Sequence, residues 1–237
     1  LTGPLLFWFS MRDGFAIARA ATGAAEVQAL TRALDASIAA GRGGTRKLLS
    51  LPTILELASA PRIRALVDAV LGSGALPVGA ILCDRPPNTH WKVPWHQDLM
   101  VPVRERVETP GYTSWSVKEG IPHVQPPARV LERMLAVRIH LDDCGPDNGP
   151  LRVIPGSHAR GKLTDAEIDR IVAEQSGVAC CVSAGDAVLM RPLTLHASSI
   201  AASPEHRRVI HIDYAACALD GGLDWPVTAS SAPAPRT

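Results

Sequence analysis

The stretch Trp91-Lys92-Val93-Pro94-Trp95-His96-Gln97-Asp98-Leu99 sets a histidine and an aspartate two residues apart, behind a proline and between bulky apolar side chains. On an extended strand, residues i and i+2 point to the same face, about 6–7 Å apart at the backbone. An imidazole and a carboxylate so placed can hold one metal ion from the same side. His-x-Asp by itself is a weak signal, because such pairs arise by chance on solvated surfaces. Its meaning rests on what lies downstream.

Around this stretch the chain reads as short apolar runs bounded by Pro, Gly, Asn and Asp. Candidate strands are Leu76–Cys83, Trp95–Val103, Leu135–Leu141, Leu151–Ile154, Val178–Val182, Ala187–Met190 and Arg207–Ala215. Many short strands separated by turn residues predict a mainly β fold, a sandwich or barrel. Two strands alternate. Leu135, Val137, Ile139 and Leu141 share one face, with Arg138 and His140 on the other. In the last strand Arg208, Ile210, Ile212 and Tyr214 oppose Arg207, Val209, His211 and Asp213. The apolar faces need a cover. The polar faces line either an interior cavity or an ordinary wet surface, and alternation alone does not choose between them.

The cover is found upstream. Val27, Leu30, Leu34 and Ile38 recur at spacings of three and four, which predicts an amphipathic helix over Ala24–Ala40, ended by Gly41, Gly43 and Gly44. Leu51–Ala58 and Pro61–Leu71 predict two shorter helices, the second opened by its proline and closed at Gly72. A fourth starts at the capping-box pattern Thr164-Asp165-Ala166-Glu167 and ends before Gly177. The N-terminal helices are expected to pack on one face of the sheet.

The 237 residues are 46% hydrophobic and 20% charged, with a net charge of +1. That supports a sizeable core and gives no electrostatic case for nucleic acid or an anionic membrane as partner. Five cysteines without a C-x-x-C spacing argue against a disulfide framework or a zinc ribbon, and for a reducing compartment. The apolar run Leu5–Phe9 is far shorter than the ~20 residues of a membrane span. The expectation is a soluble, cytoplasmic protein with one domain over 11–217. Residues 1–10 read as an extension before a natural start at Met11, and residues 218–237 as a flexible tail.

Between Arg104 and Arg133 no period is visible. The chain holds five Trp, two Tyr and three Phe, and Trp91, Trp95, Tyr112 and Trp115 all fall in or near this region. A disordered segment would not concentrate them, so a lid beside the His-x-Asp strand is the better reading.

A catalytic metal needs a third ligand, and His196 follows the strand Ala187–Met190 directly. Two histidines and a carboxylate on one face of an octahedron are the signature of non-heme iron(II) oxygenases, with open positions left for co-substrate and dioxygen. Zinc accepts the same donors. Arg207, eleven residues on, starts the last strand, where a planar guanidinium suits bidentate capture of a carboxylate. Ser198 can donate to the same group. Arg207, rather than Arg208, has the polar face.

These residues, in order, resemble the phytanoyl-CoA dioxygenase family: Pro94–Asp98, then Asp147-Asn148-Gly149-Pro150-Leu151-Arg152-Val153-Ile154-Pro155-Gly156-Ser157-His158, then Gly185-Asp186, then His196-x-Ser198 and Arg207. The resemblance spans roughly Met11 to Ala215. It implies a double-stranded β-helix (a jelly-roll, cupin-like core) with flanking helices, Fe(II) held by His96, Asp98 and His196, and 2-oxoglutarate held by Arg207 and Ser198. Arg138 falls where some relatives place a tryptophan near the co-substrate, and it is assigned to that site. The implied reaction uses O2 to hydroxylate a small organic substrate with release of succinate and CO2. Asp98 argues against halogenation, since related halogenases lack the carboxylate.

Trp91, Lys92, Tyr112, Trp115, His140 and His211 are candidates for substrate contact, each equally explained by packing. His158 reads as part of a turn, and Asp142, Asp143 and Asp147 as turn or capping residues. Two rival readings are a non-catalytic ligand-binding β-helix and an O2-independent cupin-type metalloenzyme; the second leaves Arg207 without a task.

Overall fold

The computed structural model describes residues 11–39, 46–87, 92–203 and 205–226. Its elements in chain order are β1 (Phe15–Ala18), α1 (Ala24–Ala39), α2 (Pro52–Ser59), α3 (Pro61–Leu71), β2 (Leu76–Arg85), β3 (Val93–His96) and β4 (Val101–Pro102). They continue with β5 (Thr113–Lys118), β6 (Ile121–Gln125), α4 (Ala128–Leu131), β7 (Met134–His140), β8 (Leu151–Val153), α5 (Asp165–Glu174), β9 (Val178–Cys180), β10 (Ala187–Met190), β11 (His196–Ser198) and β12 (Arg207–Ala215). No helix among the described residues is long and apolar enough to cross a membrane.

A five-stranded sheet, β1-β10-β7-β12-β2, and a four-stranded sheet, β3-β11-β8-β9, form the double-stranded β-helix. All their pairings are antiparallel. Alternation decides what each face of the large sheet meets. Leu135, Val137, Ile139, Ile210, Ile212 and Tyr214 are buried in one cluster with Val27, Leu30 and Leu34 of α1, Ile54 and Leu57 of α2, and Ile63 and Val67 of α3. The helices therefore cover the apolar face, as their spacing predicts. The opposite face carries Arg138, Arg207 and His211, and these line a cavity of about 690 Å³ instead of meeting bulk water.

Three expectations change. The single strand over Trp95–Val103 is two strands in different sheets: β3 ends at His96, and β4 joins the three-stranded sheet β4-β6-β5. The segment 104–133 is no structureless lid. It holds the β5–β6 hairpin and α4, and it packs through Tyr112, Val124, Val130 and Leu131 on a second core. The hairpin turn is Glu119-Gly120, with φ of 52° and 78°. Such a turn needs positive φ at both residues, and a glutamate at its first position hides the usual Asn-Gly signal. Third, residues 218–226 are not a loose tail: Leu223 and Trp225 are buried in that second core, and the Tyr112 hydroxyl donates to Asp220 at 3.0 Å. Residues 1–10 and 227–237 lie outside the described residues.

Asp186, after Gly185, ties the edge of the large sheet. Its carboxylate accepts from the backbone N–H of Ala20 and of Ser183, both at 2.9 Å, and from Arg19 at 2.6 Å. Burial works to raise its pKa, but these donors outweigh it and hold the group below the ordinary 3.8. A depressed folded-state pKa contributes stability above the unfolded value, and that stability is lost as pH falls through the folded one. Asp186→Asn should lower stability by about 1–3 kcal/mol at pH 7. The difference from the parent protein should shrink as pH drops below about 4. Urea unfolding at several pH values reads both effects.

Candidate metal centre and keto-acid pocket

His96 closes β3, His196 opens β11, and the two are register partners across the antiparallel pair. Their ring centroids lie 4.2 Å apart with the planes inclined at 49°. Asp98 sits just past the strand rather than on it, because the chain leaves the sheet after His96. The turn-off is pinned in two ways. Asp98 N–H donates to the Pro192 carbonyl at 2.9 Å. The buried Gln97 amide donates to the carbonyls of Leu193 at 2.7 Å and Gly161 at 2.8 Å, and its oxygen accepts from Leu163 N–H at 2.8 Å. His-x-Asp thus reaches one point through a loop clamped by its middle residue, not through strand alternation.

Each imidazole has its Nδ1 against a carbonyl oxygen at 2.8 Å, Pro94 for His96 and Thr194 for His196. A carbonyl only accepts, so Nδ1 carries the proton and Nε2 of the neutral ring keeps its lone pair. Both Nε2 atoms face Asp98, at 3.7 Å from Oδ1 for His96 and 3.6 Å from Oδ2 for His196. Those separations are too long for hydrogen bonds. They suit three donors converging on one ion, and the three ligand atoms lie within 4.8 Å of one another. Asp98 Oδ2 is buried and has no hydrogen-bond partner. An orphaned carboxylate oxygen between two lone pairs repels both unless a cation stands among them. The residues fit a divalent metal.

Electrostatics agree. Burial pushes His196 down to about 4, against the pull of Asp98, so the ring is neutral and ready to ligate near pH 7. Burial works to raise the Asp98 carboxyl, but His196, His211, His96 and Arg138 around it hold it below the ordinary range.

On the same cavity wall, the buried Arg207 donates to the Gly149 carbonyl, and its Nη1 and Nη2 each lie 3.4 Å from Ser198 Oγ. Ser198 Oγ donates to the same carbonyl at 3.0 Å. The Asn-Gly motif explains this approach. Gly149 takes a left-handed φ of 57°, and a Cβ there would stand 2.5 Å from both Arg85 Nη1 and the Ser199 carbonyl. Among the described residues Arg207 forms no ion pair. Arg208, by contrast, grips Asp142 through Nε at 3.0 Å and Nη2 at 2.7 Å, so Asp142 is an ion-pair partner and not merely a turn residue. A buried guanidinium without a carboxylate is costly.

The other candidates divide. His211 lines the cavity, with Nδ1 accepting from Arg138 Nη1 at 2.7 Å and Nε2 donating to Asp213 Oδ1 at 3.0 Å. That chain fixes its tautomer. Lys92, Tyr112, Trp115 and His140 are not among the cavity-lining residues. Tyr112 and Trp115 belong to the second core, and Lys92 is exposed just before β3. His140 is buried, where burial first, then the charges of Arg138 and Arg207, push it down to about 3 and keep it neutral. Trp91 lies outside the described residues. His158 stands apart from the centre, its ring packed where a Gly14 Cβ would fall 2.4 Å away. Ser157 of the same motif matters more: its hydroxyl donates to the Ile154 carbonyl at 2.7 Å and accepts from Leu195 N–H at 2.8 Å, next to His196. The sequence carried no sign of the Gln97 clamp; a buried amide between two ligands is visible only once its three partners converge.

A double-stranded β-helix with two histidines, a carboxylate and an inward arginine defines a class of mononuclear metal oxygenase folds. The profile of the phytanoyl-CoA dioxygenase (PhyH) family matches residues 10–209, and the chain belongs to that family. No match is found among curated proteins. Among solved structures, AviO1 from Streptomyces viridochromogenes Tue57 is similar at 25% identity, covering 89% of this chain and 94% of its own, with a TM-score of 0.62. EctD from S. alaskensis, solved with 2-oxoglutarate and 5-hydroxyectoine, shares 22% identity over 86% of this chain and 73% of its own, with a TM-score of 0.67. SnoK, a non-heme alpha-ketoglutarate-dependent carbocyclase from nogalamycin biosynthesis, shares 18% over 86% and 81%, with a TM-score of 0.66.

Because Gln97 sets where Asp98 stands relative to both imidazoles, Gln97→Ala should weaken Co(II) or Zn(II) binding by about 10-fold or more. Calorimetric titration of the metal-free protein checks this, and unchanged affinity would reduce Gln97 to packing.

Proposed function

We propose that the protein is a non-heme iron(II)- and 2-oxoglutarate-dependent dioxygenase that hydroxylates a small organic substrate. The carrying observation is the pairing, on one cavity wall, of the convergent His96, Asp98 and His196 donors with a buried Arg207 that has no carboxylate partner among the described residues. Family membership supports the reading, as does EctD, whose structure holds 2-oxoglutarate in a similar fold.

In this reading His96, Asp98 and His196 hold Fe(II), which supplies dioxygen activation coupled to oxidation of the keto acid. The chain's own residues do the rest. Arg207 and Ser198 hold the distal carboxylate and so set which end of the keto acid faces the ligand triad. Arg138, whose Nε is buried without a hydrogen-bond partner, adds positive charge beside the triad and completes the co-substrate wall. The carbonyls of Pro94 and Thr194 keep both imidazoles in the ligating tautomer. The β5–β6 hairpin walls the cavity through Lys118, Ile121 and His123, which keeps bulk water away from the reacting centre.

Anaerobic addition of iron and 2-oxoglutarate should produce a visible charge-transfer band that is absent in His96→Ala. Arg207→Ala should raise the 2-oxoglutarate Kd by about 100-fold, since truncating one partner of a buried charged pair costs about 2–5 kcal/mol. Arg207→Lys should recover only part, because the ammonium lacks the planar fork. Failure of the parent protein to bind 2-oxoglutarate with any divalent metal, or turnover without dioxygen, would overturn the assignment.

A further inference from the structure

The cavity walls carry five cationic side chains, Arg46, Lys47, Lys118, Arg138 and Arg207, against two carboxylates, Asp98 and Asp213. In a chain whose net charge is +1, that imbalance is local. The inner charges find counterparts. Arg138 is linked through His211 to Asp213. Asp98 belongs to the metal ligands, and Arg207 to the keto acid. Arg46, Lys47 and Lys118 remain.

These three meet at one place. Lys47 bridges in parallel register to Ala80 of β2, which anchors the segment before α2 beside the large sheet. Lys118 ends β5, and the turn that follows bends back toward that segment: Arg46 N–H donates to Glu119 Oε2 at 2.8 Å, and Lys47 Nζ lies 3.8 Å from where a Gly120 Cβ would stand. Lys47, Glu119 and Gly120 are exposed, so this corner is the solvent-facing mouth of the cavity, and each of its two elements presents a cation. Glu119 supplies one negative charge there, which leaves an excess, and among the described residues none of the three cations enters an ion pair. Crowding shows in the titration: burial, then the charge of Arg46, lowers Lys118 against the pull of Asp98, and burial with Lys118 and Arg46 lowers the neighbouring His123 against the Ile121 carbonyl and Asp213. The same lining also carries the apolar side chains of Leu49, Ile81, Leu99, Met100 and Met134.

Resting on the oxygenase reading, we infer that the substrate is an anionic amphiphile: its apolar body lies on the Leu99–Met100 wall, and its carboxylate or phosphate is held at the mouth by Lys118, Lys47 and Arg46. The positions of the cations place the negative group at the entrance, so the atom to be oxidised lies at the far end of the apolar body.

The test uses zinc- and 2-oxoglutarate-loaded protein, which cannot turn over, and four probes with one body: 4-phenylbutyrate, 4-phenylbutyl phosphate, 4-phenylbutanamide and 4-phenylbutylamine. Calorimetry should show the anions binding at least 10-fold tighter than the amide, and the amine weakest. Whichever anion binds tighter identifies the head group. In Lys47→Gln/Lys118→Gln the preference should fall to about 3-fold or less, while 2-oxoglutarate, titrated first in the same cell, still binds. Equal affinity for amide and anion, a preference that survives the double substitution, or no probe binding at all would overturn the inference. Failure of 2-oxoglutarate to bind the parent protein would instead strike at the oxygenase reading beneath it.

Discussion

The antiparallel pairing of His96 with His196 is the constraint on which the site depends. Backbone hydrogen bonds fix two residues a hundred positions apart side by side, with rings 4.2 Å apart. Neither ring chooses its own orientation: a main-chain carbonyl two residues upstream holds each Nδ1. Because Pro94 lies in β3 itself and Thr194 in the turn just before β11, metal geometry and strand pairing are one structural fact. Anything that slips the β3–β11 register by one residue would turn an imidazole out of the cavity.

The large sheet solves a harder problem, which is to keep charged groups away from bulk water without a disordered interior. Its period-two alternation sends Ile139, Ile210, Ile212 and Tyr214 to the helices and Arg138, Arg207 and His211 to the cavity. The cost of burying the polar set is offset by the apolar set on the other side of the same strands. Arg207 and Arg208 show the rule in adjacent residues. One faces the helices' side and is satisfied by Asp142; the other faces inward with only a carbonyl and a hydroxyl for company.

Much of this was legible beforehand, for physical reasons. Alternation is a property of residue order, so the faces of β7 and β12 and the preference for Arg207 over Arg208 follow from the sequence. Helical spacing likewise located α1 to α3, and the capping box at Thr164 is formed, with Glu167 N–H donating to its hydroxyl and Glu167 accepting from its N–H. What stayed hidden depends on partners distant in sequence. The strand break after His96 requires the carbonyls of Pro192, Leu193 and Gly161. The β5–β6 hairpin carries a bulge between Thr113 and Ser116 and a turn led by glutamate, so neither period nor turn residues announced it. β1 is four residues long and is held as an edge by β10. The packing of Trp225 could not be read from a segment that looks like the start of a low-complexity end.

The aromatics carry the same lesson further. Tyr112 and Trp115 read equally as substrate contacts or as packing, and both pack in the core beneath the hairpin, where the Tyr112 hydroxyl binds Asp220 and Arg106 lies 5.2 Å over the Trp115 ring. A hairpin standing over a cavity needs a hydrophobic base of its own, since a lone two-stranded ribbon is marginal in water. The aromatics provide that base. They free the hairpin's other face to present Lys118, Ile121 and His123 to the cavity. The bulky residues that draw the eye thus make rigid the scaffold on which the cavity's cation Lys118 stands.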